Sequence, residues 1–193
     1  MKSLVPDETA TGSSRLSRKG TINSVGVVCF DQLIAVRTPR PFLNQRATMK
    51  TIKSVAVIIE RELGPTIKEW LRQVKLVPDL TIIPLSDSDR TGHLPKLFDD
   101  LLSRLRLPRD AEPPVSITAS AHGRLRFAQG YSASMLVEES RLFQVTTFGT
   151  LQLHQSELDQ NQVLLDVMII ADEADRQLTE TVRSFMTAQQ AAA

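Results

Sequence analysis

Apolar residues recur every three or four positions through most of the chain after residue 49. The first series consists of Ile52, Val55, Ile59, Leu63, Ile67, Trp70, Leu71 and Val74. Residues at this spacing share one face of an α-helix, and an apolar face of this kind packs against a core. Pro65 lies inside the series and has no backbone N–H, so we expect a break or kink near Leu63.

Local signals place a further helix at residues 94–106. Pro95 suits the first helical turn, where the missing N–H has no helical partner, and Pro108 prevents the helix from continuing. The preceding segment, 77–89, contains two prolines and a Ser/Asp cluster, which are typical of a loop.

Three more helices are predicted in the second half of the chain. One spans residues 115–129 and ends before Gly130, a residue typical of helix C-termini. Its buried face is expected to consist of Ile117, Ala121, Leu125 and Ala128. The next helix begins after Ser132, whose hydroxyl suits the N-cap position, and the longest runs over residues 158–188.

The chain after residue 49 is therefore predicted to be all-α, arranged as a helical bundle or in globin-like packing. Residues 1–48 lack helical periodicity and are expected to form a flexible tail, with a short strand pair over 24–36 as the alternative. Met49 directly precedes the first periodic segment, so translation from Met49 is a further hypothesis. These observations divide the chain into a tail, residues 1–48, and a helical domain, residues 49–193.

Charge and composition narrow the range of functions. Residues 1–48 hold seven basic and three acidic residues, which leaves 16 basic and 19 acidic residues for the remainder. A slightly acidic domain lacks the basic face that nucleic-acid binders present, so no nucleic-acid partner is expected. The single cysteine, Cys29, cannot form an internal disulfide, and neither a membrane-spanning apolar run nor a signal peptide is visible. We therefore expect a cytoplasmic protein that does not bind membranes.

No catalytic or metal-binding motif is found in the sequence. The histidines, His93, His122 and His154, lie outside any His-x-x-x-His pair, and no Gly-Lys-Ser/Thr loop occurs. We therefore predict that the protein is not an enzyme and holds neither a metal nor a cofactor. A globin-like fold would raise the alternative of haem binding, but His122 stands beside the predicted apolar stripe and not within it.

Polar residues are concentrated where two of the predicted helices meet. His122 and Arg126 are four residues apart and share one flank of their helix, whereas Glu138 and Arg141 are three apart on the next helix. Two interpretations are open: the charges form a solvated surface with weak ion pairs, or they form a ligand or partner site. In the second case we expect His122 and Arg126 to brace Glu138 across the corner between the helices.

Several short segments resemble one known family. They are HLPKLF (93–98), HGRLR (122–126), QGYS (129–132) and LVEESRL (136–142), together with Trp70-Leu71. Over roughly residues 55–185 the chain is similar to the RsbRD-type N-terminal domain of the RsbT co-antagonist proteins, which also occurs ahead of sensor histidine kinases. It departs from that family before Met49 and at Ser140, where an aromatic residue is more common.

The resemblance implies a helical sensor domain of bacterial signal transduction and stress response, placed ahead of an output module such as a STAS domain or a kinase core. By the same analogy, the ligand or partner site consists of His122, Arg126, Gln129, Tyr131, Glu138 and Arg141. No output module follows within the 193 residues, so the chain is expected to bind a signalling partner or to be a fragment of a longer protein. A globin-like ligand- or haem-binding protein is the alternative function.

The last predicted helix also suggests self-association. Its apolar residues Val167, Ala171, Ala174, Leu178, Val182 and Phe185 follow steps close to the coiled-coil spacing. They extend for about 27 Å at the helical rise per residue, which is longer than one small bundle needs to cover. We therefore predict a homodimer formed through this seam.

Overall fold

The computed structural model describes residues 52–193, and the predictions for residues 1–48 lie outside this part of the chain. The α-helices are α1 (Val55–Arg61), α2 (Leu63–Val74), α3 (Pro78–Thr81), α4 (Asp87–Thr91), α5 (Leu94–Arg106), α6 (Ile117–Ala128), α7 (Ala133–Leu153) and α8 (Val163–Ala191). A 3₁₀ turn connects α7 to α8, and Lys53 and Leu158 form an isolated parallel bridge. Since residues 52–193 contain no β-sheet, the predicted all-α helical bundle is confirmed.

Most helix ends lie close to the positions that local signals indicate. α1 ends at Arg61 and α2 begins at Leu63, so the chain breaks where Pro65 predicts a break. Pro65 falls in the first turn of α2, where its missing N–H leaves no helical hydrogen bond unmade. α5 has the predicted bounds. The segment 77–89 differs from the predicted loop, because a proline in the first turn and a serine N-cap support the short helices α3 and α4.

The longest helix, α8, packs against α5, α6 and α7. It approaches α6 closely at Gly123, where a Cβ atom would overlap the carbonyl oxygen of Thr181 and the hydroxyl of Ser184. One turn earlier, the hydroxyl of Thr181 donates a hydrogen bond of 3.1 Å to the carbonyl of Ala119. Because α6 and α8 touch at backbone distance, a shift of one helix must be accommodated by the other.

The apolar core ends at a polar region on α7. The largest fully buried apolar side chains are Trp70, Phe98, Ile58, Ile59, Leu80, Leu94, Leu101, Leu136 and Ile170. Phe98 packs on Phe143 with ring centroids 4.6 Å apart. The indole N–H of Trp70 donates to the backbone carbonyl of Glu139 at 3.2 Å, so a buried aromatic residue finds its polar partner at the edge of the core.

α6 turns a different face to the core than the one its apolar stripe predicts. The expected core residues Ile117 and Leu125 are 82% and 45% exposed, and the two alanines of the stripe are exposed as well. The buried residues of α6 are instead Ala119, His122, Gly123 and Arg126. The prediction of this face is wrong because two long-range contacts fix the rotation of the helix: the close approach of Gly123 to α8, and an ion pair formed by Arg126.

The predicted dimer seam of α8 is occupied largely by the chain's own core. Ala174 and Phe185 are buried, and Val167, Leu178 and Val182 are partly buried against the same core. The bundle covers this length because α5, α6 and α7 all contact α8. The large exposed apolar residues of α8 are Leu164, Leu165, Met168 and Met186. Dimerisation itself stays a prediction.

None of the helices between residues 52 and 193 has both the length and the hydrophobicity needed to cross a membrane.

Candidate functional site

A tight corner between α6 and α7 brings two charged side chains face to face inside the bundle. Gly130 has a φ of 83°, a conformation that a glycine adopts without strain, and the N–H of Tyr131 donates back to the carbonyl of Arg126 at 3.0 Å. Ser132 then caps α7 by accepting from the N–H of Met135 at 3.3 Å. With its turn fixed in this way, the corner holds the last turn of α6 beside the first turns of α7.

Arg126 and Glu139 form a buried, two-pronged ion pair at this corner. The Nε of Arg126 donates to Oε2 of Glu139 at 3.0 Å, and its Nη2 lies 2.9 Å from Oε1. Arg126 is 0% exposed and Glu139 is 3% exposed. The remaining donors of Arg126 reach the carbonyl of Arg90 at 3.0 Å and Oε1 of Gln129 at 2.7 Å. The guanidinium is therefore compensated in charge and well supplied with acceptors.

Two further residues extend the ion pair toward α4. The hydroxyl of Tyr131 donates to Oε1 of Glu139 at 3.0 Å, and the ring of Tyr131 lies under the guanidinium of Arg126 at 4.7 Å. Arg90, which is 5% exposed, donates to the carbonyl of Leu80 at 2.9 Å. It also donates to the hydroxyl of Tyr131 at 3.4 Å. These contacts link α3, α4, α6 and α7 through one polar network.

Two histidines complete the site on its other side. The rings of His93 and His122 stack with centroids 3.9 Å apart and an angle of 14° between their planes. Nε2 of His122 lies 3.4 Å from Oε2 of Glu139. Among residues 52–193, neither His93 Nδ1 nor His122 Nδ1 has a hydrogen-bond partner, although both atoms are buried. Buried polar atoms are rarely left unsatisfied, so these two nitrogens call for an explanation.

The environment keeps both imidazoles neutral and Glu139 ionised at neutral pH. Burial lowers the pKa of His93 well below its ordinary value, and the nearby His122 and Arg126 lower it further. Burial also lowers the pKa of His122, although Glu139 opposes the shift. Burial acts to raise the pKa of Glu139, but His122 and Arg126 outweigh it and leave that pKa below its usual range. Burial raises the pKa of Tyr131 to about 12.

A cavity of about 30 Å³ lies beside the histidines. Its walls include His93, His122, Glu139, Trp70, Ser140 and Gln177. This volume accommodates one water molecule or one ion, and it contains both polar and apolar wall atoms. His93, His122 and Glu139 each offer one possible ligand atom, and the three atoms lie within 4.8 Å of one another.

The structure brings together only part of the site that sequence reasoning predicts. His122, Arg126, Gln129 and Tyr131 belong to the network, and the alternative of a solvated face is wrong for His122 and Arg126 because both are buried. Glu138 and Arg141 do not join it. They pair with each other, with Nη2 of Arg141 donating to Oε1 of Glu138 at 2.6 Å, on the exposed side of α7.

Glu139, and not Glu138, therefore braces Arg126 across the corner. A positional signal was present in the sequence: Glu139 lies three residues after Leu136 and four before Phe143, which puts it on the same helical face as these two core residues. His93 and Arg90 had no comparable signal, since both reach the site through the fold of α4 and α5.

Protein-family models, curated proteins and solved structures contain no match to this chain. The resemblance to the RsbRD-type domain therefore stays a prediction.

Proposed function

We propose that the chain is a non-enzymatic sensor or regulatory domain of bacterial signal transduction that acts through helix-mediated protein–protein contact. The observation that carries this proposal is the reversed orientation of α6. The helix buries His122 and Arg126 and exposes the apolar residues Ile117 and Leu125. Stability alone favours the opposite arrangement, with apolar residues inside and charges outside.

The buried face of α6 supports a role in sensing. Replacing a buried ion pair by apolar residues of the same shape is often neutral or stabilising, so stability alone does not explain why the network lies inside the bundle. The network also lies beside α8, because Gln177, Leu178 and Thr181 line the same cavity as His122. A rearrangement of the network should therefore displace α8, because α8 is in close contact with α6 at Gly123.

The outer face of α6 supports a role in partner binding. Ile117, Ala121, Leu125 and Ala128, which we call the α6 stripe, are all exposed and follow one another on a single helical face. The stripe extends for about 16 Å, and its alanines permit another helix to approach closely. Since the α8 seam faces the chain's own core, the α6 stripe is the better surface for a homodimer or for an output partner of the STAS or kinase type.

Light scattering on two matched double variants tests this assignment. Ile117→Glu with Leu125→Glu alters the α6 stripe, and Val145→Glu with Leu153→Glu alters α7 residues that are 48% and 82% exposed, close to the 45% and 82% of the α6 pair. We expect the wild-type chain to be dimeric at tens of micromolar, the α6 variant to be monomeric with an unchanged helical spectrum, and the α7 variant to stay dimeric. A monomeric wild-type chain that also binds no STAS or kinase-type protein encoded beside it would overturn the proposal.

The second candidate function, a globin-like haem carrier, requires a histidine that opens on a large apolar pocket. The cavity beside His93 and His122 measures about 30 Å³, far less than a porphyrin occupies. A visible absorption spectrum after addition of haem tests this candidate, because a bound haem gives a strong Soret band. Appearance of that band at one haem per chain would favour the carrier over the regulatory domain.

A further inference from the structure

A groove beside the start of α6 is lined by two buried side chains of opposite charge, Arg104 and Glu173. It is bounded by α5, by the segment before α6, by the first turn of α6 and by Glu173 of α8, and we call it the Arg104 groove. Its volume is about 410 Å³, which is in the range of small-molecule sites. Arg104 is 9% exposed and Glu173 is 4% exposed.

Arg104 is a buried cation without a partner. It forms no hydrogen bond or ion pair with any of residues 52–193, and its Nε and Nη1 are enclosed without an acceptor. Arg126, in contrast, is compensated by Glu139 and by backbone carbonyls. A buried charge is costly unless it is paired, and a guanidinium matches the two oxygens of a carboxylate. A carboxylate in the groove would therefore supply what Arg104 lacks.

Glu173 is the complementary anion with an unused acceptor. Its Oε1 accepts from Nε2 of Gln177 at 3.1 Å, but its buried Oε2 has no hydrogen-bond partner among residues 52–193. Nε of Arg176 lies 3.9 Å from Oε2, which is too far for a hydrogen bond. Nη2 of Arg176 donates instead to the carbonyl of Pro113 at 2.9 Å, which holds the segment before α6 against α8. Oε2 is therefore available to a donor bound in the groove.

The first turn of α6 adds hydrogen-bond donors to the same groove. Oγ of Ser116 accepts from the N–H of Ala119 at 2.9 Å and donates to Oδ2 of Asp100 at 2.6 Å. Ile117 and Thr118 also line the groove, and the N–H groups in the first turn of a helix have no helical acceptor. A carboxylate bound here would face these N–H groups and the positive end of the helix dipole.

The mixture of charges favours a zwitterion over a simple ion. An anion alone would pair with Arg104 but would meet the carboxylates of Asp100 and Glu173. An amine alone would leave Arg104 unpaired and add a second positive charge beside it. A ligand with one carboxylate and one ammonium group would satisfy both buried side chains and leave the net charge unchanged. Leu107 and Val115 also line the groove, so an apolar group on the ligand would bury surface there.

We propose that the Arg104 groove binds a small zwitterion of the free amino-acid class. The carboxylate lies at Arg104 and the first turn of α6, the ammonium group at Glu173, and an apolar side chain against Leu107. This inference goes beyond the proposed function and does not depend on it.

Titration calorimetry of the full, tag-free chain with L-leucine, L-methionine and L-phenylalanine tests the proposal. We expect one site per chain for at least one of these ligands, with a dissociation constant of about 1 mM or below, as suits a ligand of about ten heavy atoms. Absence of binding by all three at about 10 mM, well above that constant, would overturn the proposal.

Two analogues of leucine test the need for both charges. 4-Methylpentanoate lacks the ammonium group, and 3-methylbutylamine lacks the carboxylate. Each should bind at least about 10-fold more weakly than leucine, because one of the two buried charges stays unpaired. An analogue that binds as tightly as leucine would contradict the assignment of a zwitterion.

Arginine variants on α5 locate the ligand. Arg104→Met should weaken amino-acid binding by about 10-fold or more, because the charge-assisted hydrogen bonds to the carboxylate are lost. The matched control is Arg106→Met, since Arg106 pairs with Glu60 at 2.7 Å and its side chain is 52% exposed. Unchanged binding in Arg104→Met, or loss of binding in Arg106→Met, would contradict the assignment.

NMR spectra of the wild-type chain locate the ligand without any substitution. On addition of the amino acid that binds, the amide signals of Ile117 and Thr118 should shift. The amide of Gly149 lines a different groove and should not shift. Shifts at Gly149 without shifts at Ile117 and Thr118 would place the ligand elsewhere and overturn the proposal.

Discussion

Two regions of the molecule each combine a histidine, an arginine and a glutamate, yet they differ in almost every other respect. The buried cluster is His122, Arg126 and Glu139, and the surface cluster is His154, Arg61 and Glu157. The two ion pairs have the same length, since both arginines approach within 2.9 Å of their glutamate. The side chain of Arg126 is 0% exposed, however, whereas that of Arg61 is 36% exposed.

Contact distance therefore does not determine how much a charged cluster contributes to stability. Water solvates Arg61 and Glu157 whether or not they pair, and salt screens their attraction. In the bundle interior no such solvation replaces a lost partner, so a single unpaired charge at Arg126 or Glu139 is costly. The buried cluster is therefore the one whose state can alter the whole fold.

The largest expected effect comes from removing one partner of each pair. Arg126→Met should lower the free energy of unfolding by about 3–5 kcal/mol, because Glu139 is left buried and unpaired. Arg61→Met should change it little, since Glu157 stays hydrated. Urea unfolding of both variants gives the comparison. Arg126→Met with Glu139→Leu should recover part of the loss, and equal stability of Arg126→Met and Arg61→Met would contradict the distinction between the clusters.

A glycine near each cluster gives the second largest effect. Gly123 lies less than one turn before Arg126 on the buried face of α6. Gly149 lines a surface groove together with His154. Gly123→Ala should destabilise the fold by about 1–3 kcal/mol or more, because the new methyl group overlaps Thr181 and Ser184 of α8. Gly149→Ala meets no atom within 4 Å and should stabilise α7 by up to about 1 kcal/mol. Thermal melts of the two variants should therefore shift in opposite directions.

The same comparison explains how far the sequence could predict the structure. The bounds of α5 followed from Pro95 and Pro108, which act on their own neighbours. The inward face of α6 did not follow from periodicity, because Ile117 and Leu125 form a regular apolar stripe that the fold turns outward. Its orientation depends on contacts with α7 and α8, which lie far away in sequence and leave no periodic signal.

The candidate site was predictable only where the turn and cap residues between α6 and α7 determined it. Gly130 and Ser132 indicated that two helices meet, and this placed Arg126 at the predicted corner, whereas Tyr131 entered the predicted site only through the family resemblance. The choice between Glu138 and Glu139 depends on the rotation of α7, and a one-residue error moved the predicted partner to the surface. His93 enters the site from the start of α5, and no spacing rule connects it to His122.

Acid should destabilise the buried cluster in a pH window set by its histidines. Their folded-state pKa values lie below the ordinary histidine value of about 6.5, so the unfolded chain binds more protons than the folded one as the pH falls below 6.5. The stability that His93 and His122 contribute is full above that pH and is lost as the pH falls toward their folded values. The slope is limited to about 1.4 kcal/mol per pH unit for each histidine.

Urea unfolding at pH 7 and pH 5 measures this loss, with the His93→Gln and His122→Gln double variant as the reference. Burial raises the pKa of Glu173 and of Asp166, and these groups contribute a slope of the opposite sign in both proteins. The difference between wild type and double variant therefore isolates the histidines. An identical loss of stability in both proteins would show that His93 and His122 do not cause the acid sensitivity.

The smallest effect is expected from the coupling within the surface cluster. Arg61, Lys53 and His154 hold the pKa of Glu157 well below its usual range through hydrogen bonds. Because these groups are open to water, solvent screening should limit both the depression of the Glu157 pKa that an NMR titration shows and the contribution of the pair to folding. A double-mutant cycle with Arg61→Met and Glu157→Gln should give a coupling close to the error of the measurement in low salt, and none in about 1 M NaCl, where the screening length is near 3 Å.

The Arg126 and Glu139 cycle should keep its coupling in the same salt, because ions do not enter the bundle. A surface coupling as large and as salt-resistant as the buried one would mean that Lys53 and the 3₁₀ turn form a second rigid network, and burial would then no longer separate the two clusters.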